Sequence, residues 1–262
     1  MTEPVLVDIS GAVATLTINR PERMNAMDSA AHLALSQALD ALADDDSVRV
    51  IVLTGAGGRA FSAGRDLKEL SADLSDDQRR EIDARWARVE RLTDRFDYPK
   101  PIIAKVQGTA LGGGFELALA CDIIIASDDA SFALPEPKRG LIPFAGGVHR
   151  LPRQIPLKAA MGYLLTGRSM SAQRAFALGL VSEVVPATEL DSVVAGWAAD
   201  IIACAPLAIR AIRQCVATGI GRPLGEAMAA TYPAEEIRKT SQDSIEGPRA
   251  FAEKRAPQWT GR

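Results

Sequence analysis

Histidine and cysteine, the side chains that most often bind zinc, are scarce in this sequence of 262 residues. There are two histidines, His32 and His149, and three cysteines, Cys121, Cys204 and Cys215, with no C-x-x-C spacing. This scarcity argues against a zinc site and a disulfide framework, so we expect no metal and a reducing compartment. A Ser-His-Asp triad would have to recruit one of the two histidines.

The sequence also lacks a basic surplus and a long apolar run. Lys and Arg number 30 against 33 Asp and Glu, a net charge of -3, so neither nucleic acid nor an anionic membrane is expected as a partner. The N-terminus, M-T-E-P-V-L-V-D, has no basic segment followed by an apolar one, and no stretch is long enough to span a bilayer. We therefore expect a cytoplasmic protein, and its 47% hydrophobic content supports a substantial core.

Two glycine-rich loops each follow an apolar strand. Residues 48–53 are apolar except for Arg49, read as a buried strand, and lead into T-G-A-G-G-R-A-F-S-A-G-R-D-L-K-E. Residues 102–106 form another, followed by three consecutive glycines, a helix from about Phe115 and a further buried strand at 122–126. This alternation predicts an α/β domain with largely parallel pairing and a ligand crevice at the strand ends.

The triple glycine, Gly112 to Gly114, is the stretch that most suggests chemistry. Consecutive glycines before a helix leave backbone N–H groups without side-chain cover, and the helix N-terminus adds partial positive charge. Such a place suits an anion or an oxygen that becomes one. Glu116, two residues further on, could move protons at a carbon beside a polarised carbonyl. The same residues also fit a tight turn that caps a helix with a surface carboxylate.

The second half of the sequence is mostly helical. A loop rich in proline and glycine carries Glu136, which taken alone also fits a solvent-facing side chain. Helices are predicted over 158–165, 171–178 with Ser171 as cap, 189–203, 206–218, 223–239 and 245–255, after an earlier helix at 81–96. A first helix is predicted to begin after Asp28 as its cap, with Leu35, Leu39 and Leu42 on one face. These C-terminal helices are rich in small residues and are expected to pack on a neighbouring subunit.

With both loops and Glu136 in view, the sequence resembles the crotonase family of enoyl-CoA hydratases and isomerases over essentially its whole length. The matching stretches include R-P-E-R-M-N-A, F-S-A-G-R-D-L-K, G-T-A-L-G-G-G-F-E-L-A-L-A-C-D, F-A-L-P-E, G-L-I-P-F-A-G-G and the terminal E-G-P-R-A-F-A-E-K-R. Within the family, G-G-F-E-L-A-L-A and A-P-L-A-I are most similar to the carnitinyl-CoA dehydratase type. The resemblance implies a spiral of ββα units in residues 1–195 and a helical trimerisation region in residues 196–262, assembled as a homotrimer or a dimer of trimers.

The resemblance also implies a reaction, the reversible addition of water to a trans-2-enoyl-CoA. The backbone N–H groups of Arg65 and Gly113 would hold the thioester oxygen as charge develops on it. Glu116 would hold and deprotonate the attacking water, and Glu136 would supply the proton to Cα. No separate cofactor is implied, because coenzyme A is part of the substrate.

Further residues are implied as contacts of the acyl-CoA substrate, and their assignment is looser than that of the glutamates. They are Glu22, Arg23, Met24, Ala26, Ala63, Asp66, Leu67, Lys68 and Lys254. Phe144 departs from the family, which often has glycine there, and should reshape the acyl pocket.

Three alternatives stay open at this stage. The chain could be a carnitinyl-CoA dehydratase, which hydrates crotonobetainyl-CoA in reverse. It could be a catalytically silent acyl-CoA-binding relative. It could also be a serine hydrolase that uses Ser62, although the sequence offers few histidine partners for it.

Overall fold

Strands and helices alternate through the first two thirds of the chain. The computed structural model describes residues 3–71 and 73–262. The elements up to the second glycine-rich turn are β1 (Val5–Ser10), β2 (Val13–Ile18), α1 (Ser29–Asp44), β3 (Val50–Gly55), β4 (Ala60–Ser62), α2 (Leu67–Ser71), α3 (Asp76–Trp86), β5 (Ile102–Val106) and β6 (Thr109–Leu111). The elements that follow are α4 (Gly113–Ala120), β7 (Ile123–Ser127), β8 (Ser131–Ala133), α5 (Gly147–Gln154), α6 (Leu157–Thr166), β9 (Met170–Ser171), α7 (Ala172–Ala177) and β10 (Glu183–Val185).

The strands form two sheets. The larger has the order β1-β2-β3-β5-β7-β10 and is parallel except for the β1–β2 hairpin. The smaller has the order β4-β6-β8-β9, in which β4, β6 and β8 are parallel and β9 is antiparallel. The predicted α/β class with largely parallel pairing is confirmed.

The two sheets are built by a repeated connection. Strands β3, β5 and β7 lie side by side in the larger sheet, and each is followed by β4, β6 or β8 in the smaller one. A helical segment then leads back to the larger sheet after β4 and β6. The chain therefore winds as a spiral of ββα units, as the resemblance implies, and the turns after β4 and β6 come together.

Strand β3 is apolar from Val50 to Leu53 because this part of it is covered on both faces. Ile51 and Leu53 belong to the main core, which includes Leu35 and Leu39 of α1. Val50 and Val52 face a second core. Since successive side chains of a strand point to opposite faces, a strand covered on both sides reads as an unbroken apolar run.

Helix α1 begins where the sequence predicts. The carboxylate of Asp28 accepts a hydrogen bond from the backbone N–H of Ala31 at 2.9 Å, which satisfies one of the free donors at the helix start. The predicted apolar face of α1 is buried, with Leu35, Leu39 and Leu42 at most 3% exposed.

The C-terminal part of the chain is helical. It comprises α8 (Leu190–Ala203), α9 (Pro206–Gly219), α10 (Leu224–Ala229), α11 (Pro233–Lys239) and α12 (Asp243–Ala252). Helix α8 covers the second core through Leu190, Val194 and Ala198. A division after residue 195 therefore falls inside a helix that packs on the sheet, and the two-region division stays a prediction.

No single helix within 3–71 and 73–262 is long and apolar enough to cross a membrane. The pair formed by α8 and α9, bent by 103°, meets such a criterion by length and composition only.

Two predicted helices differ from the structure. The helix predicted at 81–96 is α3, which starts earlier, at a capping box formed by Ser75 and Gln78, and ends at Trp86. The chain then turns, and the backbone N–H of Glu90 donates to the hydroxyl of Ser36 on α1 at 3.0 Å, which holds the segment after α3 against α1. The helix predicted at 223–239 is two helices, α10 and α11, because the second begins at Pro233.

Candidate active site

The site is built where the two glycine-rich turns touch. Gly64 follows β4 with a φ of +82°, a backbone conformation that favours glycine. A Cβ on Gly64 would lie 2.7 Å from the amide nitrogen of Gly113 and 2.7 Å from the carbonyl oxygen of Leu111. Only glycine lets the two turns approach this closely, so the contact fixes the backbone of residues 64–65 against the start of α4.

This contact leaves two backbone N–H groups close together. Met27 and Arg65 form a parallel bridge. The N–H of Met27 donates to the carbonyl of Gly64, and the N–H of Asp66 donates to the carbonyl of Met27. The N–H of Arg65 therefore points away from Met27 and has no acceptor within residues 3–71 and 73–262. Gly113 is the first residue of α4, where an N–H has no partner inside the helix.

The separation of these two amides is limited by the glycines. A Cβ on Gly113 would lie 3.5 Å from the amide nitrogen of Arg65. This is an ordinary van der Waals distance, so about one atom fits between Gly113 and the amide of Arg65. Two free N–H groups around such a space, at a helix N-terminus, form a site for an oxygen that carries negative charge.

A cavity of about 890 Å³ opens beside the two amides. Its walls come from the turn before α1, both glycine-rich turns, the segment from α3 to residue 94, and the loop between β8 and α5. The lining residues are Ala26, Met27, His32, Ala63, Gly64, Arg65, Leu67, Trp86, Val89, Arg91, Thr93, Asp94, Leu111, Gly112, Gly113, Glu116, Leu117, Pro135, Glu136, Arg139, Leu141, Ile142, Phe144 and Ala145.

Glu116 lies on the first turn of α4 and is 3% exposed. Its Oε1 accepts a hydrogen bond from the backbone N–H of Gly147 at 2.8 Å, which orients the carboxyl group. The pKa of Glu116 is raised to about 7, chiefly by burial and also by the nearby charge of Glu136, while the Gly147 bond and Arg91 oppose the rise. The carboxyl group can therefore both accept and release a proton near neutral pH.

Glu136 lines the same cavity from the loop between β8 and α5, at the start of a short 3-10 helix (Glu136–Arg139). Its Oε1 lies 2.8 Å from the position that a Cβ on Gly112 would take, so glycine is needed there too. Its Oε2 is buried and has no partner among the described residues. Burial raises the pKa of Glu136, and Arg139 opposes this. Unlike a solvent-facing loop glutamate, it directs a free oxygen atom into the protein.

A cluster of aromatic and basic side chains also lines the cavity, and the sequence did not indicate it. His32, Arg65, Trp86 and Arg91, which we call the Trp86 cluster, come from four separate segments. The His32 and Trp86 ring centroids are 4.9 Å apart, and the Arg65 guanidinium lies over the Trp86 ring, 5.4 Å from its centroid. Burial, with Arg91 and Arg65 nearby, lowers the pKa of His32 to about 4, so this imidazole is neutral at pH 7.

Most predicted site residues line the cavity, and some do not. Arg65, Gly113, Glu116, Glu136, Ala26, Ala63, Leu67 and Phe144 line it. Phe144 is 74% exposed, so its ring stands at the rim and does not fill the interior.

Six predicted contacts lie outside the cavity lining. Glu22 and Arg23 are exposed on a 3-10 helix (Pro21–Arg23), and Met24 follows it with a φ of +53°. Lys68 and Lys254 are exposed.

Asp66, the sixth, is buried, and its carboxylate accepts hydrogen bonds from the Arg20 guanidinium and the backbone N–H of Lys68, both at 3.0 Å. These bonds hold the turn after Gly64, and the assignment of Asp66 to substrate stays a prediction.

Ser62 does not have the environment of a nucleophile. Its hydroxyl is fully buried and donates to the backbone carbonyl of Asn25 at 2.8 Å, while it accepts from the N–H of Gly64 at 3.1 Å. The hydroxyl therefore ties together the turns on either side of the cavity, which argues against the serine hydrolase alternative.

The chain is similar to known proteins over essentially its whole length. The model of the family described as enoyl-CoA hydratase/isomerase matches residues 8–262. A carnitinyl-CoA dehydratase of Salmonella typhi is 40% identical over 100% of both chains. The crystal structure of an enoyl-CoA hydratase from Bacillus anthracis superposes with a TM-score of 0.90 at 36% identity, covering 99% of this chain and 100% of that one. An enoyl-CoA hydratase from Mycobacterium marinum gives 0.89 at 39% identity, with both chains fully covered.

Proposed function

The chain belongs to the enoyl-CoA hydratase/isomerase family, also called the crotonase family, and from this premise we propose that it adds water reversibly to a trans-2-enoyl-CoA thioester. The resemblance inferred from the sequence motifs is thereby confirmed. The observation that carries the proposal is the meeting of buried Glu116 and half-buried Glu136, both with raised pKa, in one cavity beside two free backbone N–H groups.

In the proposed reaction the N–H groups of Arg65 and Gly113 bind the thioester oxygen. They draw electron density from the conjugated double bond and make Cβ electrophilic. As water attacks Cβ, the electron pair of the double bond moves toward this oxygen, and both donors stabilise the resulting enolate-like charge. Removal of one such donor typically slows turnover by about 10² to 10³.

The two glutamates divide the proton transfers. Glu116 holds the water and accepts one of its protons as the remaining hydroxyl bonds to Cβ. Glu136 gives its proton to Cα, so the electron pair of the enolate forms the new C–H bond, the thioester carbonyl is restored and Glu136 is left as a carboxylate. Dehydration reverses each step. Because the pKa of Glu116 is about 7, the pair retains a proton near neutral pH.

The coenzyme A part of the substrate is assigned to the turn before α1 and to the residues after β4. Ala26, Ala63 and Leu67 support this assignment because they line the cavity. Glu22, Arg23, Met24, Asp66, Lys68 and Lys254 are retained as proposed outer contacts. Phe144 at the rim would contact the acyl chain or the pantetheine arm.

The test is a spectrophotometric assay in which the purified protein is mixed separately with crotonyl-CoA, octenoyl-CoA and crotonobetainyl-CoA. The loss of the absorbance of the conjugated thioester is measured in each case. Rapid loss with a neutral substrate is the expected result. If all three are inert while acyl-CoA esters bind tightly, the chain is a silent acyl-CoA-binding relative or catalyses another reaction of the family.

A second candidate is the dehydration of carnitinyl-CoA. The 40% identity to a protein named carnitinyl-CoA dehydratase favours it. Turnover of crotonobetainyl-CoA well above that of crotonyl-CoA would select this candidate.

We also propose assembly as a homotrimer or a dimer of trimers. The support is apolar surface on the C-terminal helices. Ile212, Val216 and Ile220 recur every fourth residue of α9 and its C-cap, so they lie on one face, and each is more than half exposed. Apolar faces of this kind are usually covered by another subunit.

A further inference from the structure

The Trp86 cluster brings uncompensated positive charge into the cavity. The Arg65 guanidinium has no carboxylate within ion-pair distance among residues 3–71 and 73–262, and its close contact is the Trp86 ring. Arg91, by contrast, is held by Asp94 through two bonds of 2.7 and 3.2 Å. With His32 neutral, Arg65 is the member of the cluster whose charge is open to a ligand.

The position of Arg65 connects this charge to the acyl group. The N–H of Arg65 is one of the two donors assigned to the thioester oxygen, so its guanidinium cannot be further from that oxygen than the length of one arginine side chain. The phosphates of coenzyme A are separated from the thioester by the pantetheine arm, which is much longer than an arginine side chain. The charge is therefore better placed for the acyl chain than for the phosphates.

The cluster is also unsuited to a cationic acyl group. A quaternary ammonium ion binds well against the open face of aromatic rings. Here the Trp86 face already carries the Arg65 guanidinium. A trimethylammonium group would have to displace this arginine or stand beside it, and like charges repel.

A further donor in the cluster lacks an acceptor. The indole N–H of Trp86 is buried and has no hydrogen-bond partner among the described residues. Buried polar groups usually have a partner, and a ligand that carries acceptor oxygens is one means of supplying it.

From this geometry we propose that the enzyme acts on a short 2-enoyl-CoA whose acyl chain ends in a carboxylate, and that Arg65 binds this carboxylate with Trp86 beside it. The inference rests on the proposed function, because it uses the same site and the same orientation of the thioester. Arg65 would thus act twice, through its backbone on the thioester oxygen and through its side chain on substrate choice.

Binding of saturated thioesters tests the inference without any turnover. Calorimetry would compare glutaryl-CoA, pentanoyl-CoA and free coenzyme A, which differ in the terminal carboxylate and in the acyl chain. Because Arg65 is exposed, its charge pair is partly screened by solvent, and we expect glutaryl-CoA to bind about 3- to 10-fold more tightly than pentanoyl-CoA. Arg65→Gln should bring the ratio close to one, Arg65→Lys should keep part of it, and Trp86→Phe should reduce it.

Arg88→Gln is the matched control, because Arg88 is exposed just after α3 and is not part of the cavity lining. The ratio should stay unchanged in that variant. Equal affinity for the two thioesters in the unaltered protein would overturn the inference. So would an equal loss for all three ligands in Arg65→Gln, which would assign Arg65 to the coenzyme A phosphates.

Turnover separates this inference from the proposed function. Glutaconyl-CoA, trans-2-pentenoyl-CoA and crotonobetainyl-CoA carry negative, neutral and positive acyl ends, and we expect kcat/KM to fall in that order. Hydration of all three without preference for glutaconyl-CoA would refute the inference and leave the hydratase proposal standing. Preferential binding of glutaryl-CoA with no hydration of any of them would refute the hydratase proposal alone.

Discussion

The sheet region and the C-terminal helices of this chain bury their apolar surface in different ways. In the sheet region, Leu39 of α1 and Leu53 of β3 are 1% exposed, and the core is complete within one chain. On the C-terminal helices, Met228 and Phe251 are 80% and 87% exposed. The first region thus supplies the cavity and its polar groups from one chain, whereas the second presents apolar side chains that water does not favour.

This contrast suggests a division of tasks between the two regions. We assign catalysis to the cavity of the sheet region. We assign assembly to the apolar faces of the C-terminal helices that are exposed in a single chain. Substitutions in the cavity should change rate without changing assembly, and substitutions on the open faces should do the reverse.

The sharpest test of the first half of this comparison is the removal of either glutamate. Glu116→Gln and Glu136→Gln each keep the size of the side chain but remove its proton transfer, and should lower kcat by about 10² to 10⁴. Binding of acyl-CoA esters and the molecular mass in solution should change little. A variant that keeps full activity would remove that glutamate from the mechanism.

The next largest effect is expected at the two amides. Gly113→Ala adds a methyl group 3.5 Å from the amide nitrogen of Arg65, an ordinary contact that should preserve the fold. The methyl would occupy space assigned to the thioester oxygen, so kcat/KM for crotonyl-CoA should fall by about 10² to 10³. Circular dichroism checks the fold, and an unchanged rate in a folded variant would contradict the assignment.

A smaller effect is expected from pH. The proposed hydration needs one glutamate ionised and the other protonated, so the singly protonated pair is the active form. Burial raises the pKa of Glu116 to about 7, so the pair loses its remaining proton and kcat/KM falls as the pH rises above about 7. The rate also falls on the acid side, as the second carboxylate is protonated. A profile that is flat from pH 5 to 9 would contradict this coupling.

The smallest effect on rate, and the largest on assembly, is expected at the exposed apolar face of α9 formed by Ile212, Val216 and Ile220. Ile220 is 72% exposed at the end of α9, and Ile220→Asp places a charge among the exposed apolar residues there. We expect light scattering to show a smaller assembly than the unaltered protein forms. If both proteins are monomers, the assignment of this face to assembly is wrong.

Much of this architecture could be predicted from the sequence because its signals are local. The apolar runs at β3 and β5 predicted buried parallel strands, and the glycines that follow them predicted turns with exposed amides. Gly64 and Gly113 do approach each other. The cap at Asp28 depends on a bond between residues three positions apart, so the start of α1 could be predicted from the local sequence.

The parts that were missed depend on distant contacts or on very short elements. Strands β4, β6 and β8 have three residues each, too few for a periodic pattern, so the repeated ββα unit was not visible as a sequence repeat. The Trp86 cluster joins His32 to residues more than thirty positions away. The sequence pattern predicts Trp86 in the interior of a longer helix, whereas it is the last residue of α3.

The most direct test of the central proposal is the fate of solvent atoms. Crotonyl-CoA would be incubated with the protein in water labelled with ¹⁸O or with deuterium, and the products read by mass spectrometry. The proposed reaction predicts an intact thioester that carries ¹⁸O on Cβ and deuterium on Cα, with both labels nearly absent in Glu116→Gln. Label confined to a free carboxylic acid, or deuterium without ¹⁸O on Cβ, would contradict it, because the first indicates thioester hydrolysis and the second isomerisation.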